Sequence, residues 1–291
     1  MPALMRETEG AAFGRRFSLE ATRPSLGEIA DTAAITGQGC ALYLSAVPGQ
    51  TAEQHAAAAT QATRAGLMPV PHLAARRFTS TAELTALLTR LRGEADVRRA
   101  LVIGGDGPDG GPFADALALI LHGALAQTGI EEVGIAGYPE GHPQIPPDRL
   151  AGALREKIAA ARAQGLQPYI VSQFSFAPEK IVAWIKALRA GGIDLPIKVG
   201  MAGPTSLPAL LRYAKRCGVN ASLRGLGSGV AASLLGNVGP DRILEKLAAT
   251  DGLGDIAPHY FSFGGLAATA QYAQQKSKEA AGLAAVAASR R

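Results

Sequence analysis

Short apolar runs recur along the chain near 17–21, 40–46, 68–73, 99–104, 132–136, 168–174, 195–200 and 257–263. Between them, stretches such as 52–65, 80–92, 113–128, 148–164, 178–190, 206–217 and 240–249 set Ala and Leu three and four residues apart among charged residues. That spacing is the period of an amphipathic helix, and strands alternating with helices pack as a parallel sheet. Eight such units are enough to close it, so the pattern predicts an α/β fold of the (β/α)8 TIM-barrel type in a single domain. The irregular segment 219–239, with Gly-Leu-Gly-Ser-Gly at 225–229, is expected to add an extra helix before the last strand. Periodicity does not by itself show closure, so an open doubly wound sheet is the alternative. Residues 1–14 are read as a flexible N-terminal arm, 15–277 as the barrel and 278–291 as an Ala-rich C-terminal tail.

Composition narrows the class. The chain has 291 residues, 47% hydrophobic and 18% charged, which suits a globule with a large core and argues against disorder. Its two cysteines, Cys40 and Cys217, have neither a disulfide framework nor metal-ligand spacing, so a reducing cytoplasm and no metal are expected. Glu7 and Glu9 interrupt an N-terminus that lacks an apolar core, which disfavours a secretory or transit peptide. There is no uninterrupted apolar stretch of about 20 residues to span a membrane. The net charge of +5 is scattered rather than gathered with aromatics, which argues against nucleic acid but suits a polyanionic small molecule such as a dinucleotide. Homo-oligomer formation is left open.

In a parallel barrel the reacting groups lie at the C-terminal ends of the strands. The first run ends in Glu20 and the third in His72; the fourth leads into Gly104-Gly105-Asp106-Gly107. The fifth leads into Tyr138-Pro139-Glu140-Gly141-His142-Pro143, where prolines on both sides stiffen a loop bearing two ring side chains. The sixth ends in Ser172-Gln173-Phe174-Ser175-Phe176, whose amide offers a donor and an acceptor to a heterocycle edge. Each residue also has a plain structural reading: a solvated glutamate, a satisfied histidine, a glycine turn, a glutamine capping its own loop.

Taken in order, these segments resemble the methylenetetrahydrofolate reductases, over a span from about Phe17 to Phe263. The Tyr-Pro-Glu-Gly-His-Pro and Ser-Gln-Phe-Ser-Phe segments carry most of that resemblance. It implies an FAD-dependent oxidoreductase of one-carbon metabolism, interconverting 5,10-methylenetetrahydrofolate and 5-methyltetrahydrofolate by hydride transfer through the flavin. It further implies that Ser45, His72, Gly105, Asp106, Tyr138, His142 and Lys157 hold FAD, with Ser45 in place of a threonine. Glu20 would be the general acid that opens the folate's imidazolidine ring to an iminium ion. Asp106 would face that cation, and Gln173 and Phe263 would contact the substrate. A general acid working near neutral pH is expected to have a raised pKa, with desolvation as the lever.

The chain departs from the family pattern after Glu20, where Ala21-Thr22-Arg23 replaces two aromatic residues and the first proline of a pair. It departs again at Ala74-Ala75-Arg76 and in the strand-seven loop at 200–206, which lacks the usual aromatic residue. On the helix after strand five, Asp148 is the one candidate for the acidic residue expected at the cofactor. These departures bear on the nicotinamide partner more than on the flavin; NADH or NADPH stays undecided, and an oxidative direction in one-carbon catabolism is open. The alternatives are a flavin-free lyase or aldolase using Lys198 for a Schiff base, a folate-dependent methyl transferase, and a non-catalytic subunit.

Overall fold

In the computed structural model, residues 13, 14, 16–107, 110–216 and 240–289 are described. Eight strands, β1 (Ser18–Ala21), β2 (Ala41–Leu44), β3 (Met68–Ala74), β4 (Arg99–Ile103), β5 (Glu132–Gly137), β6 (Gln167–Ser172), β7 (Ile197–Ala202) and β8 (Ile256–Phe261), pair in sequence order. Every pairing is parallel, and β8 returns to β1, so the sheet closes as a barrel and the open alternative is excluded.

The alternation of each strand divides its side chains between two cores. Leu19, Leu42, Leu44, Leu73, Val102, Val133, Ile135, Ile170 and Val199 join the large core that packs against the helices. Tyr43, Val70, Leu101, Tyr169 and Val171, of the opposite parity, form a smaller cluster inside the barrel. Within it the Tyr43 and Tyr169 hydroxyls hydrogen-bond at 3.0 Å, which satisfies two polar groups that burial would otherwise strand. Arg99 pairs with Glu132 at the N-terminal ends of their strands.

The helices are α1 (Leu26–Thr36), α2 (Ala52–Arg64), α3 (Thr81–Ala95), α4 (Ala116–Leu121), α5 (Ala124–Gln127), α6 (Pro147–Ala163), α7 (Pro178–Ala190), α8 (Leu207–Arg216), α9 (Asp241–Ala248) and α10 (Leu266–Ser289). Capping boxes begin two of them: Ser25 with Glu28 at α1, Thr51 with Gln54 at α2. The stretch 113–128 forms two short helices rather than one, because Gly123 between them has φ +87°, a left-handed conformation that stops an α-helix. Both α8 and α9 lie between β7 and β8, while the whole of 219–239, including 225–229, falls outside the described residues. So do residues 1–12 of the proposed arm, whereas Phe13 is buried in the core. Helix α10 runs unbroken through residue 278 as far as Ser289.

The Ser25 cap gives the fold a direct test. Removing the hydroxyl in Ser25→Ala leaves one end of the box unmade, at a cost of about 1 kcal/mol. In a protein of this size the melting midpoint should fall by about 2–4 °C, read by circular dichroism.

Candidate active site

Glu20 is the third residue of β1 and points into the C-terminal end of the barrel, where it is mostly withdrawn from solvent. Its partners come from β3, β8 and the residue just after β2. The Ser45 hydroxyl, just beyond β2, donates to Oε1 at 2.9 Å. On the other oxygen, Oε2, His259 Nε2 of β8 lies at 3.2 Å and His72 Nε2 of β3 at 3.4 Å. The His72 contact is at ion-pair distance but is not aligned as a hydrogen bond. His259 is fully buried, and its other nitrogen, Nδ1, meets the buried Ser18 hydroxyl at 2.9 Å. Outside this ring, Thr22 donates to Ser45 at 3.2 Å.

Burial by itself would push the Glu20 carboxyl up, as expected for a general acid. The His72 and His259 imidazoles outweigh it and hold the carboxyl well below the usual carboxylate range. In this geometry Glu20 favours the carboxylate, against the raised pKa expected of a general acid. Burial drives His259 the other way, toward its neutral form.

Aromatic rings make the wall beside Glu20. Phe174, Phe261 and Phe263 meet edge-on or tilted with centroids 4.9–5.6 Å apart, and Tyr213 of α8 stacks on Phe263 at 4.1 Å. Tyr213, Phe261 and Phe263 line a cavity together with Glu20, Thr22 and Glu28. The strand-seven loop has no aromatic residue of its own, but the helix that follows it contributes Tyr213.

The remaining residues singled out in the sequence lie along the neighbouring strand ends. Asp106 is exposed in the loop after β4, where Gly105 has φ +79°. A Cβ on Gly105 would lie 2.8 Å from that of Ala74, so only glycine lets the loop sit this close to β3. Arg76 holds the same loop by donating Nε–H to the Gly105 carbonyl at 3.0 Å. Tyr138 and His142 contact edge to face at 5.3 Å, and burial followed by the nearby Asp106 charge pushes the Tyr138 phenol up. Lys157 is half-buried on α6; burial lowers its pKa while Asp115 opposes the shift. Asp148 lies exposed in the first turn of the same helix. Gln173 turns Oε1 back to accept the Phe174 N–H at 3.1 Å, so that oxygen caps its own loop.

Lys198 is the second residue of β7, toward the N-terminal end of the barrel and away from the strand ends a Schiff-base lysine would need. His259 was not singled out in the sequence. Its signal is parity: it lies two residues before Phe261 and therefore shares its face of β8. Among the described residues no group of three His, Cys, Asp or Glu side chains is arranged to hold a metal ion, and no helix is long and apolar enough to cross a membrane.

The family model for methylenetetrahydrofolate reductase matches residues 32–222. Methylenetetrahydrofolate reductase 2 of Saccharomyces cerevisiae is 33% identical over 86 residues, covering 28% of this chain and 14% of the yeast protein. The 5,10-methylenetetrahydrofolate reductase of Pectobacterium carotovorum is 26% identical over 170 residues, covering 57% of this chain and 54% of its own length. The chain thus spans about half or less of these curated relatives. Among solved structures, dihydropteroate synthase from Thermus thermophilus superposes with a TM-score of 0.50 at 12% identity, covering 92% of this chain and 93% of that one, a likeness of fold alone.

Behind the site, His55 of α2 is buried with both ring nitrogens unpartnered. Burial first, then His72 and Arg77, lowers its pKa to about 4. An unfolded histidine takes up its proton near pH 6.5, so acidification favours the unfolded state between there and about pH 4. Stability from the neutral imidazole is complete above pH 6.5 and is lost as pH falls. Between pH 7.5 and 5 the loss is about 2 kcal/mol. His55→Leu should abolish that part of the acid sensitivity, so its urea midpoint should gain on the wild type as the pH is lowered; equal slopes for the two proteins would refute the assignment.

Proposed function

Because the chain belongs to the methylenetetrahydrofolate reductase family, we propose that it is an FAD-dependent oxidoreductase interconverting 5,10-methylenetetrahydrofolate and 5-methyltetrahydrofolate. The observation that carries this reading is the placement of Glu20: a carboxylate at the barrel mouth, bonded on both oxygens, beside a cavity walled by Tyr213, Phe261 and Phe263.

The donor set fits the cofactor. Ser45, His72, the glycine loop at 104–107, the Tyr138–His142 pair and Lys157 follow one another along the ends of β2 to β5 and onto α6. Such a row offers hydroxyl and imidazole groups, close backbone approach, ring faces and a cation, the contacts an extended dinucleotide uses. Bound FAD would supply the hydride transfer. The chain's own groups hold the folate and manage its proton. The aromatic wall excludes water and takes a flat heterocycle, Gln173 offers its amide N–H to the pterin, and Asp106 faces the cationic centre that forms when the imidazolidine ring opens.

In the reductive direction Glu20 must first take up a proton, which it then delivers to the ring nitrogen as the ring opens. A folate packed over the mouth favours that uptake by removing the remaining water from the carboxylate. In the oxidative direction the same group accepts the proton as the ring closes, and the hydrogen bonds to both of its oxygens favour the carboxylate that this step needs. The oxidative reading rests on those two bonds to Glu20.

Purified protein should show an oxidised flavin spectrum, with or without added FAD, that bleaches when 5-methyltetrahydrofolate is added without oxygen. Absence of flavin binding would remove the reading. NADH and NADPH, tried separately, identify the nicotinamide partner. In Glu20→Gln, folate turnover should drop by about 10²–10⁴-fold with flavin content unchanged.

A further inference from the structure

The two oxygens of Glu20 are not equivalent. Both imidazoles face Oε2, at 3.2 Å from His259 and 3.4 Å from His72, while Oε1 meets the Ser45 hydroxyl at 2.9 Å. We propose that His259 is a positioning residue that decides which oxygen carries the exchangeable proton: a neutral imidazole donating Nε2–H to Oε2, it reserves that oxygen as an acceptor and leaves Oε1 to take up and release the proton. The use of that proton in folate chemistry rests on the function proposed above; the hydrogen-bond assignment does not.

The assignment follows from counting protons. An ionised Glu20 has none to give, so its bond with His259 requires an N–H at Nε2. A neutral imidazole has one N–H, which leaves Nδ1 bare, and the Ser18 hydroxyl 2.9 Å away must then donate to it. His259 is packed so as to favour the neutral ring. It is fully buried among apolar and aromatic groups, with Tyr43 edge-on at 4.6 Å and Phe261 at 5.1 Å. The Tyr43 phenol is already bonded to Tyr169. Of the other titratable groups, His72 lies beyond Glu20, Lys198 of β7 adds a cation that opposes imidazolium, and Glu20 favours it. The barrel fixes the pair in place, since Ser18 and His259 are register partners across the β1–β8 seam.

Oε1 differs because its neighbour can reverse. Ser45 Oγ lies 2.9 Å from Oε1 and 3.2 Å from the Ala21 carbonyl, so its proton has a second acceptor. With Glu20 ionised, Ser45 donates to Oε1. Once a proton is on Oε1, Ser45 turns its own to Ala21 and can accept from the carboxyl. One proton is gained at Oε1 and the same one is given up there, while the His259 bond to Oε2 keeps its direction throughout.

Long-range nitrogen–proton NMR on protein labelled at its five histidines reads the assignment directly. The His259 signals, identified by their loss in His259→Gln, should report a neutral Nε2–H tautomer between about pH 6 and 8. An imidazolium, or the Nδ1–H tautomer, would overturn the proposal whether or not the protein acts on folates. In folate turnover, His259→Leu removes the donor and should move the Glu20-dependent midpoint up by about one pH unit, a tenfold change in proton affinity. His259→Gln returns an N–H to Oε2 and should bring the midpoint back toward that of the wild type. Identical profiles for Leu and wild type would sink the positioning role. If the Leu variant does not fold, the tautomer and the Gln profile decide. No folate turnover by the wild type would count against the proposed function and leave the tautomer measurement standing.

Discussion

The seam between β1 and β8 is the constraint on which the site depends. Parallel pairing sets Ser18 beside His259 and Glu20 beside Phe261, although the residues in each pair are about 240 positions apart in the chain. Because successive side chains on a strand alternate, Ser18, Glu20, His259 and Phe261 all enter the barrel together. A slip of one residue would send Leu19 and Tyr260 inward and turn the carboxylate toward the helices. Closure of the sheet and assembly of the carboxylate–imidazole group are thus one event.

Electrostatics and packing meet at that seam. A carboxylate withdrawn from water costs several kcal/mol unless its oxygens are bonded, and here a hydroxyl and an imidazole N–H meet that cost. The tyrosine pair and the aliphatic cluster of the barrel interior keep water from competing with those bonds. Such a group is held in one geometry yet lies at a mouth a ligand can reach, which is what proton transfer to a bound heterocycle requires.

The departures from the family pattern become interpretable against this frame. Thr22 hydrogen-bonds Ser45, the hydroxyl that meets Glu20, so the altered segment after β1 still supports the carboxylate. Arg76 spends its guanidinium on the carbonyl of Gly105, holding the loop that carries Asp106. Tyr213 brings a ring to the cavity from helix α8 instead of from the preceding loop. Each replacement uses a residue type that fills the space differently while keeping a donor, a loop anchor or a ring in position.

Alternation of apolar runs with helical spacing was enough to read eight strands and a parallel sheet, because side-chain period is a local property of the backbone. The positions of Glu20 near the end of β1 and Gln173 just past β6 were legible for the same reason, whereas β3 runs two residues beyond His72 to Ala74. The break at Gly123 was not, since a glycine within a helical period reveals its sign of φ only once the chain is folded. His259 was hidden because its meaning is its partner: an imidazole in an apolar strand is ordinary until closure sets it 3.2 Å from Glu20. The charge state of that carboxylate was equally out of reach. Burial and two imidazoles act on it in opposite directions, and which prevails depends on distances that exist only in the closed barrel. The sequence by itself determined the strands and the polar residues near their ends; tertiary structure alone decided how the sheet closes and which of those residues share a proton, because hydrogen bonds act over a few ångströms of space and not along the chain.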